Sequence, residues 1–222
     1  GILYALMQAA SEGHTYLPGD LLAERTAGLL GIGKEAIWPG INNLAMDKKL
    51  VIKTLKEEKR VYAGAYYYAE LKCARMLHDL NISFGDGLTG KEEKRLLGIL
   101  EQMEEQQGIL LDDLQKKAVI TSAVNGIMIL SGGPGTGKTT TINTIIQLFE
   151  AEGMDILLAA PTGRAAKRMT ETTGFEARTI HRLLEINGAV EEGRGAEFER
   201  NEENPLDADV VIIDEMSMVD IS

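Results

Sequence analysis

The chain has 222 residues, a formal net charge of −11 and a single cysteine, Cys73. The acidic balance argues against a protein that coats nucleic acid by bulk charge, although one local basic face would be compatible with it. One cysteine excludes an internal disulfide framework. No apolar run reaches the length needed to cross a bilayer, and the N-terminus lacks the features of a signal peptide. These features predict a globular cytoplasmic protein with no membrane partner.

The first 81 residues predict a mainly helical domain that ends in a hairpin. Apolar residues follow helical spacing from the first position of GILYALMQAASEG, so we expect residues to be missing before Gly1. The stretches LPGDLLAERTAGLLG and KEAIWPGINNLAMDKKL predict two more helices, and LVIKTLKEEKRVYAGA predicts two strands around a charged turn. Three helices followed by a hairpin is the order of a winged helix-turn-helix module.

A polar, glycine-rich joint, NISFGDGLTG, follows the helix YYYAELKCARMLHDL. A charged helix then continues to about Gln107. We therefore divide the chain into a winged helix-turn-helix-like domain at residues 1–81, a linker and connecting helix at residues 82–107, and a different domain at residues 108–222.

From Gly108 onward, predicted helices and strands alternate. LDDLQKKAVITSAVNG predicts a helix capped by Asp112 or Asp113, and IMIL predicts a buried strand. Two further strands, DILLAAP and VVIIDEM, are separated from IMIL and from each other by the helices KTTTINTIIQLFEAEG and GRAAKRMTETTG. Near-continuous Val, Ile and Leu runs are typical of parallel strands that are covered on both faces. The sequence therefore predicts an α/β fold with a parallel sheet.

A complete G-x-x-x-x-G-K-S/T motif, the P-loop or Walker A motif, occupies residues 132–139, between a predicted strand and a helix. Backbone N–H groups of such a loop and the positive end of the helix dipole bind phosphates. Lys138 is placed to contact the β- and γ-phosphates, and the Thr139 hydroxyl to join a magnesium shell. The pattern predicts nucleotide binding.

Two adjacent carboxylates, Asp214 and Glu215, end the apolar strand VVIIDEM. Alternation along a strand sends them in different directions at its carboxyl edge. Asp214 is then predicted to hold the metal and Glu215 to polarise the attacking water as a general base. The second carboxylate favours a hydrolase over a switch.

Polar residues elsewhere are weaker signals. Gln115 lies in the first turn of the helix before the P-loop, where a solvated side chain is the ordinary interpretation. Arg164, with Lys167 and Arg168, makes one helix face basic, and Thr162 and Gly163 offer a hydroxyl and a backbone N–H at its start. His181 fits a stacking or phosphate-binding side chain, or a histidine whose hydrogen bonds are satisfied near the core.

In order along the chain, LDDLQKKAV, GGPGTGKTTTI, APTGRAAKRM, TIHRLL and VVIIDEMSMVD resemble the RecD-like DNA helicases of superfamily 1, in the branch that moves 5′ to 3′. The resemblance spans about residue 108 to the end, and it implies a partial RecA-like P-loop motor domain. The front region, including GHTYLP, is similar to the winged-helix-like segment of the long bacterial RecD-like proteins.

The resemblance also implies roles for individual residues. The nucleotide-binding set is Gln115, which matches the adenine-reading glutamine, with Gly133, Pro134, Gly135, Thr136, Gly137, Lys138, Thr139 and Thr140. The set matching single-stranded DNA contacts is Thr162, Gly163, Arg164, Thr179 and His181. Asp214 matches the metal-binding carboxylate, and Lys138 and Glu215 are the implied catalytic residues. Met216 departs from the family, which often has alanine there.

The expected cofactors are ATP and Mg²⁺, and the expected partners are single-stranded DNA and 5′-tailed duplex DNA, in DNA repair or recombination. Because the sequence stops soon after Glu215, we expect a fragment that cannot unwind DNA by itself and that self-associates through an incomplete sheet.

Two alternatives stay open. A GPGTGKTT loop alone would also fit an AAA+-type remodeller that acts on protein. The chain could instead be a non-enzymatic DNA- or protein-binding module, supported by lysines near the hairpin at positions 48, 49, 53 and 56 and weakened by the acids beside them.

Overall fold

The structure, a computed structural model, describes residues 1–82, 90–133, 135–187 and 197–221. The chain forms two compact units, one consisting chiefly of Gly1–Asp79 and the other of Leu80–Val219. Most of the predicted glycine-rich joint, and Pro134 of the predicted nucleotide-binding set, lie outside the described residues. Among the helices of the described ranges, none combines the length and the apolar character that a membrane span requires.

The first unit is built on four α-helices. They are α1 (Ile2–Ser11), α2 (Gly19–Leu30), α3 (Trp38–Met46) and α4 (Gly64–Leu80), with a short 3-10 helix at Lys34–Ala36. Helix α2 ends at Gly31, which adopts the left-handed conformation at φ 66°. Leu22, Ile41 and Val61 are fully buried in one apolar core. The predicted helices are therefore confirmed.

A three-stranded antiparallel sheet completes this unit. Its strands are β1 (Tyr16–Pro18), β2 (Leu50–Leu55) and β3 (Glu58–Ala63), in the order β1-β3-β2. The predicted hairpin is confirmed, whereas β1 was not predicted because three residues carry too little pattern. Lys56 and Glu57 form the hairpin turn, both with positive φ (47° and 70°). A two-residue turn of this kind matches the twist of the strands but suits Asn and Gly better than Lys and Glu.

The described residues of the second unit contain five α-helices. They are α5 (Gly90–Gln107), α6 (Asp113–Val124), α7 (Lys138–Ala151), α8 (Gly163–Thr173) and α9 (Ile180–Leu183). Leu100 of α5, Val119 of α6 and Leu148 of α7 are buried in one apolar cluster. The predicted connecting helix α5 therefore contributes to the core of this unit. Asp112 is the residue that caps α6.

A three-stranded parallel sheet lies at the centre of the second unit. Its strands are β4 (Ile156–Ala160), β5 (Ala177–Thr179) and β8 (Val210–Ile213). Two short strands, β6 (Ile186–Asn187) and β7 (Glu197–Phe198), lie outside this sheet. The parallel order is β5-β4-β8, and β6 and β7 pair with each other in an antiparallel hairpin. The α/β class with a parallel sheet is confirmed, and the arrangement is consistent with part of a RecA-like P-loop domain.

Two predictions about strands were wrong. Residues 127–130 do not form a buried strand: they lie in none of the described strands, and Ile129 is 89% exposed. An extended segment becomes a strand only when a neighbour pairs with it, and no described strand does so here. Strand β8 is not covered on both faces, because Val211 and Ile213 are 42% and 40% exposed.

Candidate functional site

The glycine-rich loop leads directly into helix α7. Gly135 and Gly137 have φ values of 78° and 77°, a region that costs an L-residue about 1–2 kcal/mol. The Thr136 hydroxyl donates to the carbonyl of Gly133 at 2.8 Å, which closes a tight turn. Gly137 precedes the first helical residue, Lys138, so the unpaired N–H groups of the helix start lie at the loop. This is the geometry that binds an anion at a helix N-terminus.

One cavity of about 920 Å³ brings the loop and the two carboxylates together. Lys138, Asp214 and Glu215 all line it. Strand β8 ends at Ile213, and the Asp214 N–H donates to the carbonyl of Ala159 at 3.0 Å, so the ladder with β4 continues to the acid. The parallel sheet therefore delivers Asp214 to the cavity that Lys138 enters from α7.

Glu215 has an unusual backbone. Its φ is 55° and its ψ is 36°, the left-handed region that non-glycine residues avoid. Its N–H donates to Asp214 Oδ1 at 2.9 Å, and a short 3-10 helix, Met216–Met218, follows. Such an outlier is typical of functional sites, because the surrounding structure must hold it against a cost of about 1–3 kcal/mol. Here it turns the chain sharply between the two carboxylates.

Gln115 lies in the first turn of α6, and its side chain contacts the loop. A Cβ atom added at Gly137 would overlap the Gln115 Nε2 atom. The capping box of α6 holds this side chain, because Gln115 N–H donates to Asp112 Oδ1 at 2.8 Å and Asp112 N–H donates to Gln115 Oε1 at 2.9 Å. Two segments that are distant in sequence therefore meet at the glycine loop.

The residues that could hold a magnesium ion are few. Thr139 is exposed in the first turn of α7, and Asp214 follows β8. Within the part of the chain that the structure describes, no group of three or more His, Cys, Asp and Glu side chains could hold a metal alone. Magnesium usually keeps several waters and binds through one or two protein ligands together with substrate phosphates. One hydroxyl and one carboxylate fit that mode.

The predicted DNA-contacting residues follow the neighbouring parallel strands. Thr162 caps α8 and accepts from the Ala165 N–H at 3.2 Å, and Gly163 and Arg164 form the first turn of that helix. Thr179 caps α9 and accepts from the Arg182 N–H at 3.3 Å. These residues lie at the N-termini of two helices, where backbone N–H groups without a helical partner are available.

Strand register places these helix starts on the edge that also carries Asp214. Ala160 of β4 pairs with Thr179 of β5, and Ala159 pairs with Ile213 of β8. His181 lies in α9, with its ring 6.1 Å from the ring of Phe198. The sheet thus brings Thr162, Thr179 and Asp214 to one edge, although neither threonine lines the cavity described above.

Some residues of the cavity were absent from the predicted site. Ser131 and Gly132 line it at the start of the loop, and Met216 and Ser217 line it after the carboxylates. Gly132 could have been found, since it is the first residue of the motif, and Ser131 directly precedes it. From the predicted site set, Lys138, Asp214 and Glu215 alone line the cavity among the described residues.

Comparison with known proteins gives consistent matches. The family model described as AAA domain matches residues 115–222. The ATP-dependent RecD2 DNA helicase of Deinococcus radiodurans is 31% identical over 234 residues, which cover 98% of this chain and 30% of that protein. The RecBCD enzyme subunit RecD of Haemophilus influenzae is 37% identical over 134 residues, 49% of this chain and 20% of that protein.

The match to RecD proteins recurs in other organisms. The RecBCD enzyme subunit RecD of Buchnera aphidicola subsp. Acyrthosiphon pisum is 37% identical over 149 residues, which cover 58% of this chain and 23% of that protein. This chain thus spans less than a third of the length of each of these three relatives. The ordered motifs, the glycine loop before α7, the carboxylates after β8 and these matches together place the chain in the RecD-like helicase family.

Proposed function

We propose that this chain is the nucleotide-binding part of an ATP-dependent DNA helicase of superfamily 1 that acts in DNA repair or recombination. One observation carries the proposal: Lys138, Asp214 and Glu215 line the same cavity at the end of a parallel sheet. A phosphate-binding loop, a carboxylate that can hold the metal and a second carboxylate that can act as a base are parts used in the hydrolysis of a nucleoside triphosphate. The RecD and RecD2 relatives support the extension to DNA.

The predicted nucleotide-site residues have distinct roles in this proposal. The loop amides and Lys138 bind the β- and γ-phosphates, since both present positive charge at the helix start. Thr139 and Asp214 would hold Mg²⁺, which neutralises the charge that develops on the phosphates. Glu215 accepts a proton from the attacking water. The left-handed backbone of Glu215 places a turn between the two carboxylates, which suits two separate roles.

The DNA-contacting surface is proposed on the same edge of the sheet. Thr162, Gly163 and Arg164 at the start of α8, with Thr179 and His181 at α9, would contact the phosphates of single-stranded DNA. Because β4 and β8 are paired, a change at Asp214 can be transmitted to the turn before α8 through one ladder. The proposed outcome is 5′-to-3′ translocation in the cytoplasm on single-stranded and 5′-tailed duplex DNA.

The two structural units suggest a division of labour. We propose that residues 1–81 form a winged-helix-like domain and residues 108–222 the first part of a RecA-like domain, with residues 82–107 joining them. The order of α1, α2 and α3 before the antiparallel hairpin supports the former, and the parallel sheet supports the latter. Helix α5, within residues 82–107, packs into the apolar cluster of the second unit.

The experiment that tests the proposal is Lys138→Ala in the full-length protein. We expect loss of ATP hydrolysis and of unwinding of a 5′-tailed duplex. Lys94→Ala is the matched control, because Lys94 is an exposed lysine of α5 that does not line the cavity. Unwinding that persists in Lys138→Ala would overturn the proposal. Hydrolysis stimulated by a protein substrate but not by single-stranded DNA would favour an AAA+-type remodeller instead.

Self-association is proposed at the free edge of strand β8. One edge of β8 pairs with β4, no described strand pairs with the other, and Val211 and Ile213 are partly exposed. Open edges with apolar neighbours are sites of strand pairing between chains. For the 222-residue chain we expect a dimer by light scattering at high concentration and a monomer for Ile213→Lys. A wild-type chain that stays monomeric would exclude this contact.

A further inference from the structure

The first unit holds the tyrosines of the chain and a local cluster of basic residues. Residues 1–79 contain all six tyrosines, and ten Lys and Arg against nine Asp and Glu. The net charge of −11 therefore arises from the residues beyond 79. Six of the ten bases lie within residues 48–60, which contain two acids. The first unit can thus attract a polyanion locally, although the chain as a whole is acidic.

One face of the three-stranded sheet carries tyrosines and cations together. Successive strand residues point to opposite faces. Val61 of β3 is buried in the apolar core, so Arg60 and Tyr62 point to the other face of the sheet. The register places Tyr16 beside Tyr62 and Lys53 beside Arg60 on that face. We call it, with two tyrosines of α4, the tyrosine–cation face; its residues are Tyr16, Lys53, Arg60, Tyr62, Tyr67 and Tyr68.

The four rings of this face form a continuous row. The ring centroids of Tyr16 and Tyr62 are 5.1 Å apart, and those of Tyr62 and Tyr67 are 5.4 Å apart. Tyr68 adds an edge-to-face contact with Tyr67 at 5.3 Å. Tyr62 is buried, whereas Tyr68 is 60% exposed. The row therefore presents one open aromatic ring, which its packed neighbours support.

Two cations lie over the rings of the row. Lys53 Nζ is 5.2 Å from the centroid of Tyr67, and the Arg60 guanidinium is 4.8 Å from that of Tyr16. The two cations are directly opposite each other across β2 and β3, where like charges destabilise an antiparallel pair. Glu58 offsets the charge of Arg60 at 2.9 Å, but Lys53 has no ion pair with any described residue. The charge of Lys53 is therefore available to an anion.

We propose that the tyrosine–cation face binds single-stranded DNA, with Tyr68 stacking on a base and Lys53 and Arg60 contacting phosphates. Aromatic rings stack on any unpaired base, and cations beside them follow the backbone. Lys53 and Tyr68 both contact Tyr67, so one short stretch of strand can reach the ammonium and the open ring. This site lies in the first unit and is independent of the nucleotide site proposed above.

The same unit is less suited to a duplex. A helix that docks on a duplex is oriented mostly by contacts with phosphates, to which Arg and Lys commonly donate. Helix α3, which precedes the hairpin, contains neither Lys nor Arg. The bases of a duplex are also stacked on each other, so none is free for Tyr68. The unpaired strand is therefore the ligand that uses both the ring and the cations.

Fluorescence anisotropy with the 222-residue chain tests the proposal. The probe is a labelled oligothymidylate of about 20 nucleotides, which exceeds the site size of one small domain. A duplex of the same length and a base-free deoxyribose-phosphate strand are the comparison ligands. We expect the oligothymidylate to bind more tightly than the duplex and about 5- to 150-fold more tightly than the base-free strand, the value of one stacked base.

Variants of the open ring test stacking separately from folding. We expect Tyr68→Leu to weaken binding of the oligothymidylate by about 5- to 150-fold and to leave binding of the base-free strand unchanged. Tyr68→Phe keeps the ring and should bind as the wild type does. Tyr4→Leu is the matched control, because Tyr4 is an exposed tyrosine of α1 outside the row. Melting temperatures show that each variant is folded.

The salt dependence of binding tests the phosphate contact. Each phosphate contact on a single strand contributes about 0.7 to the slope of log affinity against log salt concentration. We expect Lys53→Gln to reduce the slope by about that amount. Lys34→Gln removes the same charge from an exposed lysine that already pairs with Asp20 at 3.4 Å, and it should leave the slope unchanged.

The outcomes separate this inference from the proposed function. Wild-type affinity in Tyr68→Leu, or equal affinity for the base-free strand, overturns the stacking role, and an unchanged slope in Lys53→Gln overturns the phosphate contact. Tighter binding of the duplex overturns the choice of ligand. If Arg164→Ala weakens binding and Tyr68→Leu does not, the DNA surface of the second unit stands and this site is wrong. A wild-type chain that binds no single strand overturns this site, while Lys138→Ala still decides the ATP site.

Discussion

Gly137→Ala measures how the loop and the α6 cap depend on each other. Gly135 and Gly137 have almost the same φ, 78° and 77°, but different surroundings. An added Cβ at Gly135 meets no atom of the described residues within 4 Å, whereas at Gly137 it overlaps Gln115 Nε2. Gly135→Ala is therefore a matched control that carries the backbone strain without the steric contact.

The expected magnitudes follow from these two environments. Alanine in the left-handed region costs about 1–2 kcal/mol at either position. At Gly137 the Gln115 side chain must also move, which breaks its bond to the Asp112 N–H at about 0.5–1.5 kcal/mol. The change in unfolded-state entropy is the same for both glycines and cancels. We expect Gly137→Ala to be less stable than Gly135→Ala by about 0.5–1.5 kcal/mol.

Comparison of two probes separates the unfolding of the second unit from that of the first. The single tryptophan and all six tyrosines lie within residues 1–79, so their fluorescence follows the first unit, while far-ultraviolet circular dichroism follows both. Urea unfolding by both probes then assigns each change to a unit. In a Gln115→Ala background the excess cost at Gly137 should disappear. Equal costs at Gly135 and Gly137, or an excess that survives in that background, would refute the reasoning.

Three further predictions concern the stability of the two units away from the nucleotide site. Leu100→Ala, at a fully buried position, should destabilise the second unit by about 2–5 kcal/mol and leave tryptophan fluorescence unfolding unchanged. Asn-Gly in place of Lys56-Glu57 should stabilise the first unit by about 1 kcal/mol in urea unfolding, since both residues have positive φ. The Lys116 ammonium and a backbone N–H lower the pKa of Glu104. The stability that Glu104 contributes is therefore present above the ordinary glutamate pKa of about 4.3 and is lost as the pH falls through the lowered value. The destabilisation by Glu104→Gln should be visible at pH 7 in thermal melts and shrink below about pH 4; a constant difference would contradict the ion pair.

The sequence by itself determined the local features. The glycine loop, the helix start after it, a cap of α6 at Asp112 or Asp113 and the end of α2 at Gly31 depend on residues within a few positions of each other. Such signals act through φ preferences and short hydrogen bonds, which a sequence displays directly. The alternation of strands and helices fixed the α/β class in the same way. Residue identity at 214 and 215 also indicated metal and base chemistry.

Only the tertiary structure decided which of these features meet. The shared cavity of Lys138 with the two acids and the contact between Gln115 and Gly137 arise from pairing of β4 with β8 and packing of α6 beside α7. Residues 127–130 show where prediction from local sequence fails. Their apolar run satisfies every local criterion for a strand, yet a strand exists only when a second backbone supplies the hydrogen bonds, and that partner is set by contacts remote in sequence.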